Sequence, residues 1–449
     1  MTPLPRLAIG AVQENVDTQP VLWGLMEALR QYGFQIQSFL SRACFSRFHG
    51  EAVATGITPR HLDSWLMSPE ACRARFLRGA QGADLAIVSG EFGAHGSRRL
   101  NDGGSLDVLC DWLDLPRIAV LDAVRCNGRL PAKPGSIDAV ILDRVGCEDQ
   151  FSQLQSLLEH EWCTPVLGGL QPLPHVRGQV SQLGCRCRPP RELCEVLGEQ
   201  FRRRFYVDRL LELATRRPLP WIPARATDPP FAFEPITLAL AYDKAFSSYF
   251  PDTIEAFEAL GATVVDFSPM HDERLPYGVD VVYLGCGHPE RFGYELSQNH
   301  CMKLALREHL RGGGRIYSEG GGLAYLCWEL DAGYGHSWRM AGIFPAVARL
   351  MEPAAAPTPI EVTVDHPTWL APSGTILRAY RNPRWQLEPV GLLTGCVDEP
   401  PHHYDLVQSN RALGSLLHLD FAAMPSLLAA FFRAPGEQAE LVDPWSVAI

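Results

Sequence analysis

The sequence lacks several features that would each indicate a particular class of protein. No apolar run approaches the roughly 20 residues of a membrane-spanning helix. The 13 cysteines are odd in number and include no CxxC pair, so neither a zinc ribbon nor a disulfide framework is predicted. The net charge is -11, which argues against a protein whose main role is to bind nucleic acid or an anionic membrane. The first residues lack the apolar stretch of a secretory signal, so we expect a cytoplasmic protein with reduced, mostly buried thiols.

The composition is that of an ordinary globular protein, with 46% hydrophobic and 20% charged residues in a chain of 449. Short apolar runs of strand length alternate with helical stretches in both halves, which predicts parallel sheets covered by helices. One helix is predicted over 191–214. Five prolines fall between Pro218 and Pro230 and exclude a helix there. We therefore predict a domain over 1–215, a linker over 216–233 and a second domain over 234–449.

Five stretches carry a resemblance to a known family. They are HLDSWLM at 61–67, AYDKAFSSYFP at 241–251, GATVVDFSP at 261–269, GCGHPE at 285–290 and IYSEGGGLAYL at 316–326. Together they resemble the cobyrinic acid a,c-diamide synthases, which are ATP-dependent glutamine amidotransferases of tetrapyrrole and cobalamin biosynthesis. The resemblance covers almost the whole chain in the expected order. It implies an α/β fold with an N-terminal nucleotide-binding domain of the P-loop type, related to dethiobiotin synthetase. It also implies a C-terminal, flavodoxin-like domain of the class I glutaminase type.

The loop after the first predicted strand departs from the family's phosphate-binding pattern, roughly GTxSGVGKTT. The degenerate positions are Ala11, Asn15, Asp17, Thr18 and Gln19. Thr18 stands at the position of the lysine that neutralises phosphate, and Gln19 at that of the threonine that holds magnesium. Glu14 and Asp17 add negative charge where a triphosphate would lie. We predict a plain strand–helix connection with no bound ATP or magnesium.

The family's acidic magnesium positions are also changed. The run that matches KVGPDYIDP has Cys44 and Arg47 in place of its two aspartates. The run that matches EGVMGLYDG has Ser89 and Gly96 in place of its acidic residues. Because magnesium requires oxygen ligands, mainly carboxylates, no metal site is expected. A loose trio of softer ligands is interpreted as coincidence: Cys44, His49 and His95.

The glutaminase nucleophile is absent from the second half. The family has AECGG on a sharp strand-to-helix turn, and Gly320 occupies the cysteine position here. Glycine offers no nucleophile but tolerates the backbone angles of such a turn. His418 matches the family's partner histidine, and without a thiol we interpret it as structural. Ser318 or Cys286 could replace the nucleophile only if the turn were rebuilt.

Other family motifs are retained and predict a ligand cleft, which the family places between its two domains. The predicted cleft residues are Arg42, Arg47, Arg60, His61, Asp63, Trp65, His288 and Glu290. Arg42 and Arg47 stand in or beside the former magnesium site, where guanidinium groups suit a carboxylate-rich ligand. Two alternatives are that the motifs only support the fold and that the arginines pair with local acids.

Three hypotheses follow for the function. The first is a pseudoenzyme that binds a tetrapyrrole or a protein partner. The second is an enzyme that still amidates, with free ammonia or a separate glutaminase, and only this hypothesis requires ATP and magnesium. The third is a structural subunit that pairs with an active paralogue. A homodimer or a hetero-oligomer is compatible with the sequence, whereas nucleic acid and membrane partners are not expected.

Overall fold

The computed structural model describes most of the chain and divides it into two compact units, Met1–Ala224 and Arg225–Ile449. The described residues are 4–14, 16–45, 50–93, 103–126, 129–183, 189–217, 233–351, 356–397 and 404–433. Most of the predicted linker lies outside these ranges, so its placement stays a prediction. No helix of the described residues is long and apolar enough to cross a membrane.

A seven-stranded sheet forms the centre of the first unit. Its strands are β1 (Arg6–Ala11), β2 (Ile36–Leu40), β3 (Arg60–His61), β4 (Leu85–Glu91), β5 (Arg117–Asp122), β6 (Ala139–Asp143) and β7 (Val166–Gly169). Their order across the sheet is β3-β2-β4-β1-β5-β6-β7, and every pair is parallel. The central strands are buried along nearly their whole length, which explains why they read as continuous apolar runs.

Nine helices are described in the first unit. They are α1 (Gln19–Gln31), α2 (Glu51–Thr55), α3 (Pro69–Gly79), α4 (Leu106–Leu113), α5 (Ala123–Cys126), α6 (Glu148–Glu161), α7 (Pro174–Leu183), α8 (Arg191–Arg203) and α9 (Val207–Thr215). The prediction of one helix over 191–214 was wrong at its centre. The backbone N–H of Tyr206 donates to the carbonyl of Leu167, and Phe205 bridges to Gly168. Residues 204–206 therefore contact the edge strand β7, and they separate α8 from α9.

Arg6 joins the central strand β1 of the first unit to two later segments, the end of α4 and the residues after α9. Its side chain is fully buried. Nε donates to the carbonyl of Leu113 at 3.0 Å, and Nη1 donates to the carbonyl of Arg217 at 2.8 Å. A buried guanidinium is stable only when its N–H groups find acceptors, so these two carbonyls are part of the core of this unit.

The second unit contains a larger number of short strands. They are β8 (Thr237–Ala241), β9 (Phe246–Ser248), β10 (Thr263–Phe267), β11 (Val281–Leu284), β12 (Cys286–Gly287), β13 (Arg315–Glu319), β14 (Cys327–Asp331), β15 (Ser337–Arg339), β16 (Phe344–Leu350), β17 (Thr358–Thr363), β18 (Ile376–Arg381), β19 (Trp385–Pro389), β20 (Thr394–Gly395), β21 (Leu406–Ser409), β22 (Ala412–Ser415) and β23 (Leu417–His418). The main sheet has the order β10-β8-β11-β13-β22-β21-β20. Its first five strands are parallel, and β21 and β20 are antiparallel additions.

Helices cover this sheet, and three smaller sheets extend it. The helices are α10 (Pro251–Ala259), α11 (Gly293–Gln298), α12 (His300–Arg311), α13 (Gly321–Leu326) and α14 (Pro425–Ala430), with 3-10 turns at Pro289–Phe292 and Phe421–Ala423. The smaller sheets are β12-β9, β15-β14-β16-β19 and β17-β18-β23. Both units therefore have the α/β architecture, built on largely parallel sheets, that the sequence predicts.

Candidate functional site

The sharp turn predicted at Gly320 is present between β13 and α13. Gly320 has φ 48° and ψ -105°, a conformation that side chains rarely adopt. Its N–H donates to the carbonyl of Ser415 at 2.9 Å, which fixes the turn against the neighbouring strand β22. The turn thus keeps the geometry of a nucleophile position without carrying a side chain.

The space beside Gly320 is bordered by a thiol from another strand. A Cβ atom placed on Gly320 would lie 3.1 Å from Cys286 Sγ and 3.1 Å from Asn382 Nδ2. The N–H of Gly321 donates to the same sulfur. Burial, reinforced by the nearby Glu319, raises the pKa of the Cys286 thiol well above its ordinary value. A thiol that stays protonated is a poor nucleophile, although it lies beside position 320.

Ser318, the other alternative nucleophile, is directed away from this space. Its side chain is fully buried, and Oγ donates to the carbonyl of Leu413 at 3.3 Å. This bond lies between neighbouring strands of the main sheet, β13 and β22. Ser318 is therefore part of the sheet packing.

His418, the predicted partner histidine, lies on β23 opposite Tyr380. It is fully buried, and this burial lowers its pKa to about 3. The imidazole is therefore neutral at physiological pH and too weak a base to remove a proton from a high-pKa thiol. Its surroundings suit the structural role predicted for it.

Glu319 precedes the turn and was not singled out from the sequence. Burial raises the pKa of its carboxyl group to about 8. Tyr317 donates to Oε1 at 2.6 Å, and the N–H of Leu419 donates to the same atom at 3.2 Å. At neutral pH the group is mostly an uncharged acid that joins β13 to the segment carrying His418. Its position immediately before the glycine turn was the available signal.

The retained AYDKAFSSYFP stretch supports the loop next to the turn. Tyr249 donates its hydroxyl hydrogen to the carbonyl of Ala241 and accepts from the N–H of Gly285 at 2.9 Å. Asp243 accepts two N–H groups of its own loop and the hydroxyl of Ser268 at 2.8 Å. The Tyr249 bond positions the start of the 285–290 loop and the Asp243 bonds fix its own loop, so retention of this motif has a structural reason.

His288 and Glu290, predicted to line a cleft, form part of an ion-pair network. Glu290 Oε1 lies 2.6 Å from Arg384 Nη2 and 3.1 Å from His288 Nδ1. Burial alone would raise the pKa of Glu290, but the bond from His288 and the charge of Arg384 bring it below the ordinary value. The carboxylate is thus ionised and engaged within its own unit. Arg384, 94 residues away in sequence, was not predicted.

The degenerate phosphate loop of the first unit is tied to the end of β5. Ala11 ends β1, and the N–H of Gln19 donates to Asp17 Oδ1 at 3.2 Å. Thr18 precedes α1 without a side-chain capping bond. Gln13 Oε1 accepts the N–H of Asp122 at 2.8 Å. Asn15 lies outside the described residues.

Arg125 makes a second link to this loop by donating to the carbonyl of Glu14 at 2.5 Å. Side chains of this chain therefore hold the loop where the family binds phosphate. This arrangement suits the plain strand–helix connection predicted from the sequence.

Asp63, in the retained HLDSWLM stretch, is a buried turn residue. Oδ2 accepts the N–H of Ala43 at 2.9 Å, and Oδ1 accepts the N–H groups of Trp65 and Leu66 at 2.7 and 3.2 Å. His61 is also buried and meets the ring of Phe45 edge-on. These contacts favour a structural role for the two polar residues.

The predicted arginines of the cleft are placed in part. Arg42 Nε donates to the carbonyl of Gly104 at 3.2 Å, and the Arg60 side chain lies against Gly79. Arg47, His49 and His95 fall outside the described residues. Among the residues that are described, no cluster of three acidic, histidine or cysteine side chains could hold a metal. The cleft itself stays a prediction.

Comparison with known proteins supports the resemblance found in the sequence. The CobB/CobQ-like glutamine amidotransferase domain matches residues 237–380. A cobyrinate a,c-diamide synthase of Syntrophotalea carbinolica is 29% identical over 95% of this chain and 98% of its own. A cobyrinate a,c-diamide synthase of Salmonella typhimurium is 29% identical over 80% of this chain and 81% of its own. One of Dehalococcoides mccartyi is 26% identical over 96% of this chain and 98% of its own. The predicted resemblance is therefore confirmed over nearly the full length.

Proposed function

We propose that this chain, a relative of the cobyrinate a,c-diamide synthases, is a pseudoenzyme that keeps the family scaffold but does not amidate. Its role is to bind a tetrapyrrole or a protein partner. The observation that carries the proposal is Gly320 in the strained turn, with a protonated thiol beside it and a weakly basic histidine at 418. Acyl transfer from glutamine requires an activated nucleophile, and these groups do not supply one.

The first unit supports the same conclusion for the nucleotide. The phosphate loop has no lysine, carries Glu14 and Asp17, and is held by Gln13 and Arg125. Binding ATP there would require these links to break and a triphosphate to approach two carboxylates. The loss of the nucleophile and the loss of the phosphate cation are independent changes, and both remove chemistry that amidation requires.

Two other functions remain distinct alternatives. An enzyme that amidates with free ammonia would not need residue 320, but it would still need ATP. A structural subunit would need an active paralogue and no small ligand. Product formed with ammonium would separate the ammonia-dependent enzyme from the proposal, and a spectral change with a tetrapyrrole would separate a tetrapyrrole scaffold from a structural subunit.

The first prediction concerns the reaction. With ATP, magnesium and cobyrinic acid, we expect no amidated product from either glutamine or ammonium, and no release of glutamate above buffer. The reason is the absence of a nucleophile at 320 and of a phosphate cradle in the first unit. Mass spectrometry of the corrinoid and a coupled glutamate assay measure both outcomes. An active cobyrinate a,c-diamide synthase serves as the positive control.

The absorbance spectrum of the same mixture reports ligand binding. A spectral change without product supports the tetrapyrrole scaffold, whereas an unchanged spectrum leaves the protein-partner form of the proposal. Product formed with ammonium but not with glutamine would replace the proposal by the ammonia-dependent enzyme. Glutamate release that disappears in a His418→Ala variant would show that the turn is catalytic after all.

The second prediction concerns the nucleotide. We expect the dissociation constant for ATP with magnesium to be weaker than about 1 mM, which corresponds to roughly -4 kcal/mol. Thr18 at the lysine position and the acidic Glu14 and Asp17 are the physical reason. Isothermal titration calorimetry with ATP and with GTP measures it. A micromolar constant for either nucleotide would contradict the proposal.

A further inference from the structure

Two buried aspartates end neighbouring strands of the first sheet, and arginines meet them there. Asp122 and Asp143 are register partners at the carboxyl ends of β5 and β6, with 2% and 1% of their surface exposed. Arg144 Nε donates to Asp122 at 2.9 Å, and its Nη2 bonds the second carboxylate oxygen. Arg177 Nη2 bonds Asp143. Asp122 therefore fixes the position of the Arg144 guanidinium group, and Asp143 that of Arg177.

Arg125 adds a third guanidinium at the same edge. Its Nε lies 3.4 Å from Asp122, and its Nη1 reaches the carbonyl of Glu14 in the loop after β1. Strands β2 to β4 lie on one side of β1 in the sheet, and β5 to β7 lie on the other side. The direction in which strands are added therefore reverses at β1. In open parallel sheets, ligands bind outside the carboxyl ends of strands at such a switch point.

The cluster has more positive than negative groups. Three arginines, Arg125, Arg144 and Arg177, meet two aspartates, so their positive charges outnumber the two carboxylates even when both are ionised. Arg125 and Arg144 are 43% and 34% exposed, so part of each guanidinium faces solvent while the carboxylate holds the rest. The anchored groups are thus positively charged and oriented before any ligand arrives.

Two further features indicate a site rather than simple pairing. Arg144 has φ 54°, a left-handed conformation that is costly for a residue with a side chain and that concentrates at functional sites. The Nε of Arg177 is buried and has no acceptor among the described residues. A buried N–H without an acceptor is costly, and an acceptor oxygen of a ligand would remove that cost.

We propose that the carboxyl edge of β5 and β6 is a binding site for a small oxyanion, a carboxylate or a phosphate, held by Arg125, Arg144 and Arg177. Planar guanidinium groups match the geometry of both anions. The nearby Glu14 and Asp17 disfavour a highly charged polyphosphate. None of the three arginines belongs to the degenerate loop, although Arg125 also donates to the carbonyl of Glu14 in that loop.

The test uses the full-length protein and two probes, inorganic phosphate and succinate, with binding measured by isothermal titration calorimetry at low salt. We expect at least one probe to bind, and the affinity to fall about tenfold in Arg125→Gln, as for loss of one charge-assisted contact. Arg203→Gln is the matched control, since Arg203 is 64% exposed on α8 and pairs with Glu199. Its affinity should equal that of the unchanged protein. The probe that binds more tightly shows whether the site prefers a phosphate or a carboxylate.

Several results would overturn the site. Equal binding in Arg125→Gln and Arg203→Gln would show that the anion lies elsewhere, and absence of binding by both probes would remove the proposal. If Arg125→Gln does not fold, Arg144→Lys is the second variant. It keeps the positive charge but loses the two-bond contact of the guanidinium group with Asp122. Unchanged affinity for the probe in that variant would count against the site. Micromolar binding of ATP without phosphate or succinate binding would contradict both this site and the proposed function. Absence of all three would contradict the site alone.

Discussion

In the Gly320→Cys variant, the introduced thiol should form a disulfide with Cys286 in most of the protein after mild oxidation. A Cβ at position 320 lies 3.1 Å from Cys286 Sγ. In a disulfide, the distance from a Cβ to the partner sulfur is also about 3 Å, given an S–S bond of about 2 Å. The geometry is therefore already close to that of the product. Peptide mapping by mass spectrometry without reduction measures the cross-link.

Two variants provide controls for the cross-link. Gly320→Ser introduces the same backbone strain but no sulfur, so it should leave Cys286 as a thiol. The double variant Gly320→Cys with Cys286→Gly has the family's cysteine at 320 and no neighbouring sulfur, and it should present one thiol at the turn that iodoacetamide can alkylate. A single Gly320→Cys variant that keeps both thiols free under oxidant would show that the sulfur of Cys286 is not directed at this space.

In the Gly322→Ala variant, the second unit should lose about 3 kcal/mol of stability or more. A Cβ on Gly322 would lie 2.3 Å from the carbonyl oxygen of Leu284, a backbone atom of β11 that cannot rotate away. Relief requires α13 and β11 to move apart within a packed core, and overpacking of this kind typically costs 1–3 kcal/mol or more. Denaturant unfolding followed by circular dichroism measures the loss.

Gly312→Ala is the matched control for this substitution. Gly312 lies in the same unit, and a Cβ there meets its nearest atoms at 3.4 and 3.6 Å, which is ordinary van der Waals contact. Its stability should change by less than about 1 kcal/mol. Equal stability of the two variants would mean that α13 does not pack against β11 as closely as described.

The sequence predicts those elements whose causes are local. The apolar run at 7–12 predicts a strand because buried parallel strands need continuous apolar residues, and β1 is buried along its whole length. The turn at Gly320 could be placed because its glycines and the strand before it are adjacent in sequence. The break at 204–206 could not be predicted, since it depends on bonds to β7, more than 30 residues earlier.

Residues whose partners are distant in sequence were the ones missed. Arg384 acquires its role from Glu290, 94 residues away, and Arg144 acquires its role from Asp122 on the neighbouring strand. The raised pKa of Glu319 results from complete burial, which a pattern of residue types does not reveal. Asp63 shows the opposite case, because its retained motif suggested a ligand while its contacts are those of a buried turn.

The anchoring of Arg6 has a consequence for the order of events during synthesis. The ribosome produces β1 first, yet the guanidinium of Arg6 needs the carbonyl of Arg217, 211 residues later. Helix α9 ends at Thr215, two residues before Arg217, and it also packs against β1. The central strand of the first unit therefore reaches its final packing only after the end of that unit has left the exit tunnel. Until then water solvates the guanidinium of Arg6, so burial of the middle strand is completed late.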